Sequence, residues 1–342
     1  MTTIAKFELG LLLAAAVCFT GRAEDSTSTN QPPRVPAFSV DYMDRSVNPS
    51  VDFYHYADGT WLKSNPVPAD KSRWASFMEL SEHNWYLIHG ILDEASKKSA
   101  SLPAHSPERE VGDFYASAMD TNRIEALGLK PLADDLEKID RIKSTKDLIA
   151  LQADFHQRGI GGMFSAGFGP DSKNSSIYAV QLEQGGISLP DRDYYVKETL
   201  ADKLSKYHDH VVKMFTLFGD TPAQAATNAD IVVAMETALA KASRTRVERR
   251  DPEKNYNKYT SAELAAKTPA LLWSVYFTDR NLADPGYEVV GQPEFFDEVN
   301  RLVQERPLSD WKIYLRWHLL HGSAPCLSSA FQEENFNFFG KV

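Results

Sequence analysis

The chain has 342 residues, 43% hydrophobic and 25% charged, which is ordinary globular composition and enough for two domains or one large one. Its formal net charge of −10 argues against nucleic acid or any other polyanion as a partner. With only two cysteines, Cys18 and Cys326, a disulfide framework is excluded and the fold must be held by packing.

The chain opens on Lys6 and an apolar run from Leu9 to Thr20, followed by small residues at Gly21 and Ala23. This pattern predicts a secretory signal peptide over 1–23, cleaved after Ala23, and hence an exported protein, periplasmic or extracellular. The run is too short to cross a bilayer as a helix, so no membrane span is expected after cleavage. Residues 24–40 are polar and proline-rich and are expected to be a disordered leader. From about 41 to 75 the chain is aromatic and rich in turn residues, and an irregular segment is expected there.

Helical patterning takes over from residue 76. In "SFMELSEHNWYLIHGILDEASKK", Phe77, Leu80, Leu87, Ile88, Ile91 and Leu92 lie close to one helical stripe. Ser106 before Pro107 starts another helix, and Ser144 starts one that ends at Gly159. Further helices are predicted over 199–219, 221–244, 293–305 and 308–322. Between them, short apolar runs flank the polar turn "PDSKN" and predict a β-hairpin, about 162–169 with 176–183, and "YEVVG" at 287–291 reads as one more short strand. The fold class is therefore mainly α, a multi-helix domain with a small hairpin.

Signals for chemistry are sparse. None of the nine histidines falls in an HExxH, and His208 and His210 point to opposite sides of their helix. His318 and His321 share a face but lack a third donor, and are expected to be polar positions on an amphipathic helix. "MFSAG" at 163–167 has Met163 where a nucleophile elbow needs glycine, so Ser165 reads as a strand residue. Cys326 is expected to be a small buried hydrophobe. The basic run "RTRVERRDPEKNYNKY" at 244–259 is interleaved with Glu248, Asp251 and Glu253, and reads as an internally paired surface. Asn174-Ser175-Ser176 matches a glycosylation sequon. The residues alone give an exported, mainly helical protein without a complete active site.

Five stretches, in order, carry a resemblance that covers nearly the whole chain. "DFYHYADGTW" at 52–61 resembles the opening signature of the M13 zinc metallopeptidases, the neprilysin and endothelin-converting-enzyme family. "DKSRWASF" at 70–77, "GGISLPDRDYY" at 185–195, "RRDPEKNYN" at 249–257 and "YLRWHLLHGSAPCLSSAFQEENFNFFGK" at 314–341 are similar to later family segments. The resemblance implies two mostly helical domains around an internal chamber, with this chain forming the lid-type N-terminal domain over 41–342. It implies hydrolysis of oligopeptides by a zinc site that lies in a C-terminal catalytic domain; the chain is expected to stop before that domain's HExxH, to hold no metal of its own and to be inactive alone.

By the same resemblance, 41–75 and about 327–342 are expected to pack on that catalytic domain, leaving Phe336, Phe338 and Phe339 exposed here. Arg73 corresponds to an arginine that binds the free carboxylate of short peptides, a role that suits its planar fork. A second family arginine eight residues later is Ser81 here, which weakens any dipeptidyl-carboxypeptidase-like preference. Asp58 and Cys326 also depart from the common Asn and Tyr. With few cysteines and no anchor, the chain looks like a bacterial exported member. The alternative function is a stand-alone, non-catalytic peptide-binding module.

Overall fold

The computed structural model describes residues 39–69, 71, 73–282 and 285–341. The expected signal peptide, and the expected leader up to residue 38, lie outside the described residues. The chain divides into two compact units, one ending at Ser117 and one from Ala118 onward.

In the first unit, a 3-10 turn over Val40–Tyr42 leads to α1 (Phe53–Ser64), α2 (Ser76–Lys98) and α3, which starts at Pro107 and runs to Met119. The segment expected to be irregular thus contains a three-turn helix. Asp52 nucleates it, its carboxylate accepting the backbone N–H of His55 at 3.0 Å. Aromatic crowding and Gly59 hid this helix from periodicity. Gly59 is needed for contact: a Cβ there would sit 2.7 Å from Cβ of Asp44. Asp44 in turn holds Lys63, and Thr60 Oγ1 donates to the Met43 carbonyl at 2.9 Å. Trp61 on the same helix is buried. The signature "DFYHYADGTW" is therefore a cap, a glycine contact and an aromatic anchor. At Gly112 of α3, a Cβ would come 2.4 Å from the carbonyl oxygen of Ala95 in α2, so only glycine permits that approach.

The second unit continues with α4 (Thr121–Leu127), α5 (Ala133–Asp140) and α6 (Thr145–Gln157). The hairpin β1 (Ser165–Asp171) and β2 (Asn174–Glu183) follows. Then come α7 (Asp193–Val196), α8 (Ala201–Phe218), α9 (Pro222–Ala242), β3 (Asn257–Tyr259), α10 (Ser261–Lys267) and α11 (Trp273–Asp279). The unit ends with β4 (Glu288–Val290), α12 (Pro293–Glu305), α13 (Leu308–Ser323) and α14 (Ser329–Phe339). The predicted long helices are present; Ser144 caps α6 as read, accepting from Asp147 N–H, and Thr221 with Gln224 forms a capping box on α9.

The hairpin belongs to a four-stranded sheet of order β1-β2-β4-β3. "YEVVG" supplies β4, parallel to β2 with Val180 opposite Glu288, and β3 pairs antiparallel to β4. β3 escaped the sequence because three residues carry no alternation. The turn before β1 is shaped by its glycines. Gly159 takes a left-handed conformation, φ 73°, and Gly162 leaves room for Gln152, whose Oε1 accepts Met163 N–H at 2.9 Å.

One continuous core fills this unit. Trp273, Trp311, Trp317, Tyr207, Tyr276, Tyr314, Phe155, Phe215, Phe295 and Phe296 are fully buried in it. Phe338 joins them, stacked on His210 with ring centroids 4.8 Å apart, so one of the three terminal phenylalanines is covered by this chain itself. Cys326 is exposed, contrary to the expectation of a buried hydrophobe, at the end of the 3-10 turn Ala324–Cys326 that follows α13.

Candidate functional site

Arg73 lies outside any helix or strand, three residues before α2 starts, with its side chain exposed. It makes no ion pair or hydrogen bond among the described residues. Ser81, one helical span further on, donates to the Phe77 carbonyl of its own helix at 2.8 Å and offers no second positive charge. Around them α2 presents Phe77, Trp85, Ile88 and Ile91 exposed.

In the second unit, two stretches separated in sequence meet: "GGISLPDRDYY" at 185–195 and the basic run from Arg244. Their meeting point is built on a buried carboxylate that sequence reading missed. Glu236 of α9 is fully buried. Ser188 Oγ donates to its Oε1, and the hydroxyls of Tyr195 and Tyr207 both donate to its Oε2, each at 2.7 Å. Trp317 Nε1 donates to Ser188 Oγ at 2.9 Å, and Tyr195 OH also accepts Leu189 N–H at 3.0 Å. Burial raises the Glu236 carboxyl to about 7, against the opposing pull of the three hydroxyls. Burial and the neighbouring carboxylate push both tyrosines well above their ordinary range. The network fastens 188–195 to α8, α9 and α13. Its only sequence signal is an acid amid an alanine-rich helix.

Above this floor lies a polar cleft of about 390 Å3, lined by residues of 184–192 and 243–249. Arg246 Nε donates to Asp191 at 2.6 Å, and Arg249 Nη2 to Glu183 at 3.1 Å. Arg244 is a strut: it pairs with Glu294 and donates to the carbonyls of Lys254 and Gly291, while its backbone N–H donates to Gln184 Oε1 at 2.7 Å. Arg192 Nε donates to the Ala240 carbonyl at 3.0 Å. The arginines of the basic run are not paired internally as expected: Arg244, Arg246 and Arg249 find carboxylates from other segments rather than the interleaved ones. Those partners are set by tertiary contact and are invisible locally.

The histidines do not form a metal centre. His208 pairs with Asp230 at the surface, while His210 is buried against Glu334, so the two do face apart. His318 and His321 are not on a polar face: His318 is buried with Nε2 3.5 Å from Glu236, and His321 stacks on Trp317. Burial holds their imidazoles down, His318 to about 3 and His321 to about 4. Among the described residues no three His, Cys, Asp or Glu side chains converge to hold a metal ion. The donor set of the described residues therefore does not fit a catalytic zinc.

A family model described as Peptidase family M13, covering the N-terminal part of that family, matches residues 49–342. The chain belongs to peptidase family M13. It is 31% identical over 361 residues to an endothelin-converting enzyme homolog of Locusta migratoria, covering 97% of this chain and 49% of that protein. Endothelin-converting enzyme 1 of Mus musculus is 30% identical, with 99% of this chain and 45% of that one covered. The crystal structure of the Mycobacterium tuberculosis zinc metalloprotease Zmp1 with an inhibitor superposes at TM-score 0.82 and 31% identity, over 91% of this chain and 47% of that one. PepO of Lactobacillus rhamnosis shares the fold at TM-score 0.69 with 15% identity. The chain thus spans about half the length of these relatives. Its fold is mainly helical with a small sheet, and no described helix is long and apolar enough to cross a membrane.

Proposed function

We propose that this chain is the N-terminal, lid-type domain, over 41–342, of an exported zinc metalloendopeptidase that hydrolyses oligopeptides. The observation that carries this reading is the match to a zinc metalloprotease at TM-score 0.82 along 91% of the chain. Zinc and the water it activates belong, in this reading, to a C-terminal catalytic domain. Exposed apolar side chains support packing on such a domain. Val51, Phe53 and Tyr54 in the first unit, and Phe336 and Phe339 on α14, all face solvent. Val51, Phe53 and Phe336, the most exposed of the apolar ones, each forgo up to roughly 1.5–3 kcal/mol of burial in that state.

Arg73 is the proposed contact for the free carboxylate of a peptide. Its exposure and lack of a protein partner among the described residues leave its full guanidinium fork available. The test uses the purified chain with zinc and a quenched fluorescent oligopeptide. No cleavage is expected; turnover abolished by a chelator would sink the reading of this chain as the non-catalytic part. In the same preparation, Arg73→Ala is expected to weaken binding of a short peptide with a free C-terminus by about tenfold, as loss of a charged hydrogen-bond donor does. Equal binding of the C-terminally amidated peptide would remove Arg73 from that role.

A further inference from the structure

The cleft between 184–192 and 243–249 is used by nothing described so far, although both stretches stand out in the sequence. We propose that it is a second carboxylate-binding site, one that takes an acidic side chain or C-terminal carboxylate of a peptide through Arg246 and Arg249. The choice of a peptide rests on the function proposed above; the choice of a carboxylate rests on the cleft itself.

Four guanidiniums line it, from Arg192, Arg244, Arg246 and Arg249, with Asp191 in the lining and Glu183 and Glu294 reaching two of them from beside it. They divide by role. Arg192 and Arg244 are 21% and 17% exposed and are committed to carbonyls and acids of the fold. Arg246 and Arg249 are 65% and 45% exposed. Arg246 spends Nε on Asp191 and Nη2 on the Pro190 carbonyl, and Arg249 spends only Nη2, on Glu183. Nη1 of Arg246, with Nε and Nη1 of Arg249, therefore lacks an acceptor among the described residues.

The Arg249–Glu183 pair is exposed on both sides and the Arg246–Asp191 pair on its arginine side, so an arriving carboxylate can share the guanidiniums without breaking the fold. The resident acids also show that the site accommodates carboxylate geometry. The floor is fixed: Ser188 is tied to buried Glu236, and a Cβ on Gly185 would strike Ser165 Oγ at 2.7 Å. A cleft of about 390 Å3 falls in the usual range for small-ligand sites.

The test is a binding titration on the full chain with three versions of one hexapeptide. The first has internal Asp and Glu and an amidated C-terminus. The second has Asn and Gln with a free C-terminus, and the third has Asn and Gln with the amide. Binding of the first assigns a side-chain carboxylate; binding of the second assigns a terminal one to this cleft where it survives Arg73→Gln. Arg246→Gln with Arg249→Gln is expected to cut that affinity about tenfold or more. Arg73→Gln is expected to leave binding of the first peptide unchanged, which separates this cleft from the Arg73 contact; loss on Arg73→Gln alone overturns the assignment. So does equal binding of the third peptide. Should the double variant fail to fold, the wild-type arginine Nε resonances decide: those of Arg246 and Arg249 must shift on titration, and their failure to move sinks the proposal. Zinc-dependent cleavage plays no part in these readouts, so they stand or fall apart from the enzyme reading.

Discussion

The two units use similar helices and bury them very differently. Among the described residues of the first unit, Trp61 and Ala95 are the only buried hydrophobics, while Phe77 is 80% and Phe114 78% exposed. The second unit sinks three tryptophans, three tyrosines and several phenylalanines out of solvent entirely. Yet α2 is as regular as α8 or α13. A regular helix is present there with its own backbone hydrogen bonds and the close Gly112 contact, whereas most of a helix's stability comes from burying one face against a second surface. The first unit thus shows what local signals achieve, and the second shows what packing adds.

The contrast breaks most readily by truncating one aromatic on each side. Phe155→Ala in the second unit is expected to cost about 3–5 kcal/mol by urea unfolding, and Phe77→Ala in the first less than about 0.5 kcal/mol. The same experiment fits inside one helix, where Phe338 is 7% and Phe336 61% exposed. Phe338→Ala should destabilise strongly and Phe336→Ala barely. Equal losses would show that the exposed face is covered in solution.

Acid sharpens the comparison next. His156 is held at about 4 by burial and by Arg280, His321 at about 4 by burial and His210, and His318 at about 3 by burial. Burial also lowers His210. These groups stay neutral when folded and charge when unfolded, so their stability is lost as pH falls from about 6.5 towards 4. Glu236, raised to about 7, works the other way: folded, it keeps a proton that the unfolded chain releases above about 4.5, so it favours folding as pH falls through that window. One glutamate opposes four histidines, and net destabilisation below pH 6.5 is expected. All five lie in the second unit. Urea midpoints at pH 7.5, 6 and 5 measure the slope, and Glu236→Gln should steepen it; a flat wild-type profile would contradict the burial argument.

The smallest effect concerns a helix end. Thr221→Ala removes the capping box of α9 and should cost about 1 kcal/mol, read as a shift of the unfolding midpoint without change in its slope.

How much of this was legible in the sequence depends on range. Ser144 and Pro107 marked their helices because a helix-start signal acts within one turn. Helix α1 was not legible, since Asp52 begins it but its regularity is disguised by Gly59, which answers to Asp44, and by a run of aromatics of which Phe53 and Tyr54 face solvent. The hairpin was visible, whereas β3 exists only because β4 lies alongside it. At the candidate sites, Arg73 could be picked out by motif alone. The cleft could not: the pairing of Arg246 with Asp191 spans fifty-five positions, and that of Arg249 with Glu183 spans sixty-six.

By itself, then, the order of residues determined family membership, the long helices and their ends, and the absence of an HExxH. All of these are local or linear properties. Only the tertiary structure decided which of two phenylalanines two residues apart is buried, that His318 and His321 face the core, and that Glu236 gathers three hydroxyls beneath a cleft of arginines. Burial and partnership depend on surfaces brought together from distant parts of the chain, and no short window of sequence contains both sides of a contact.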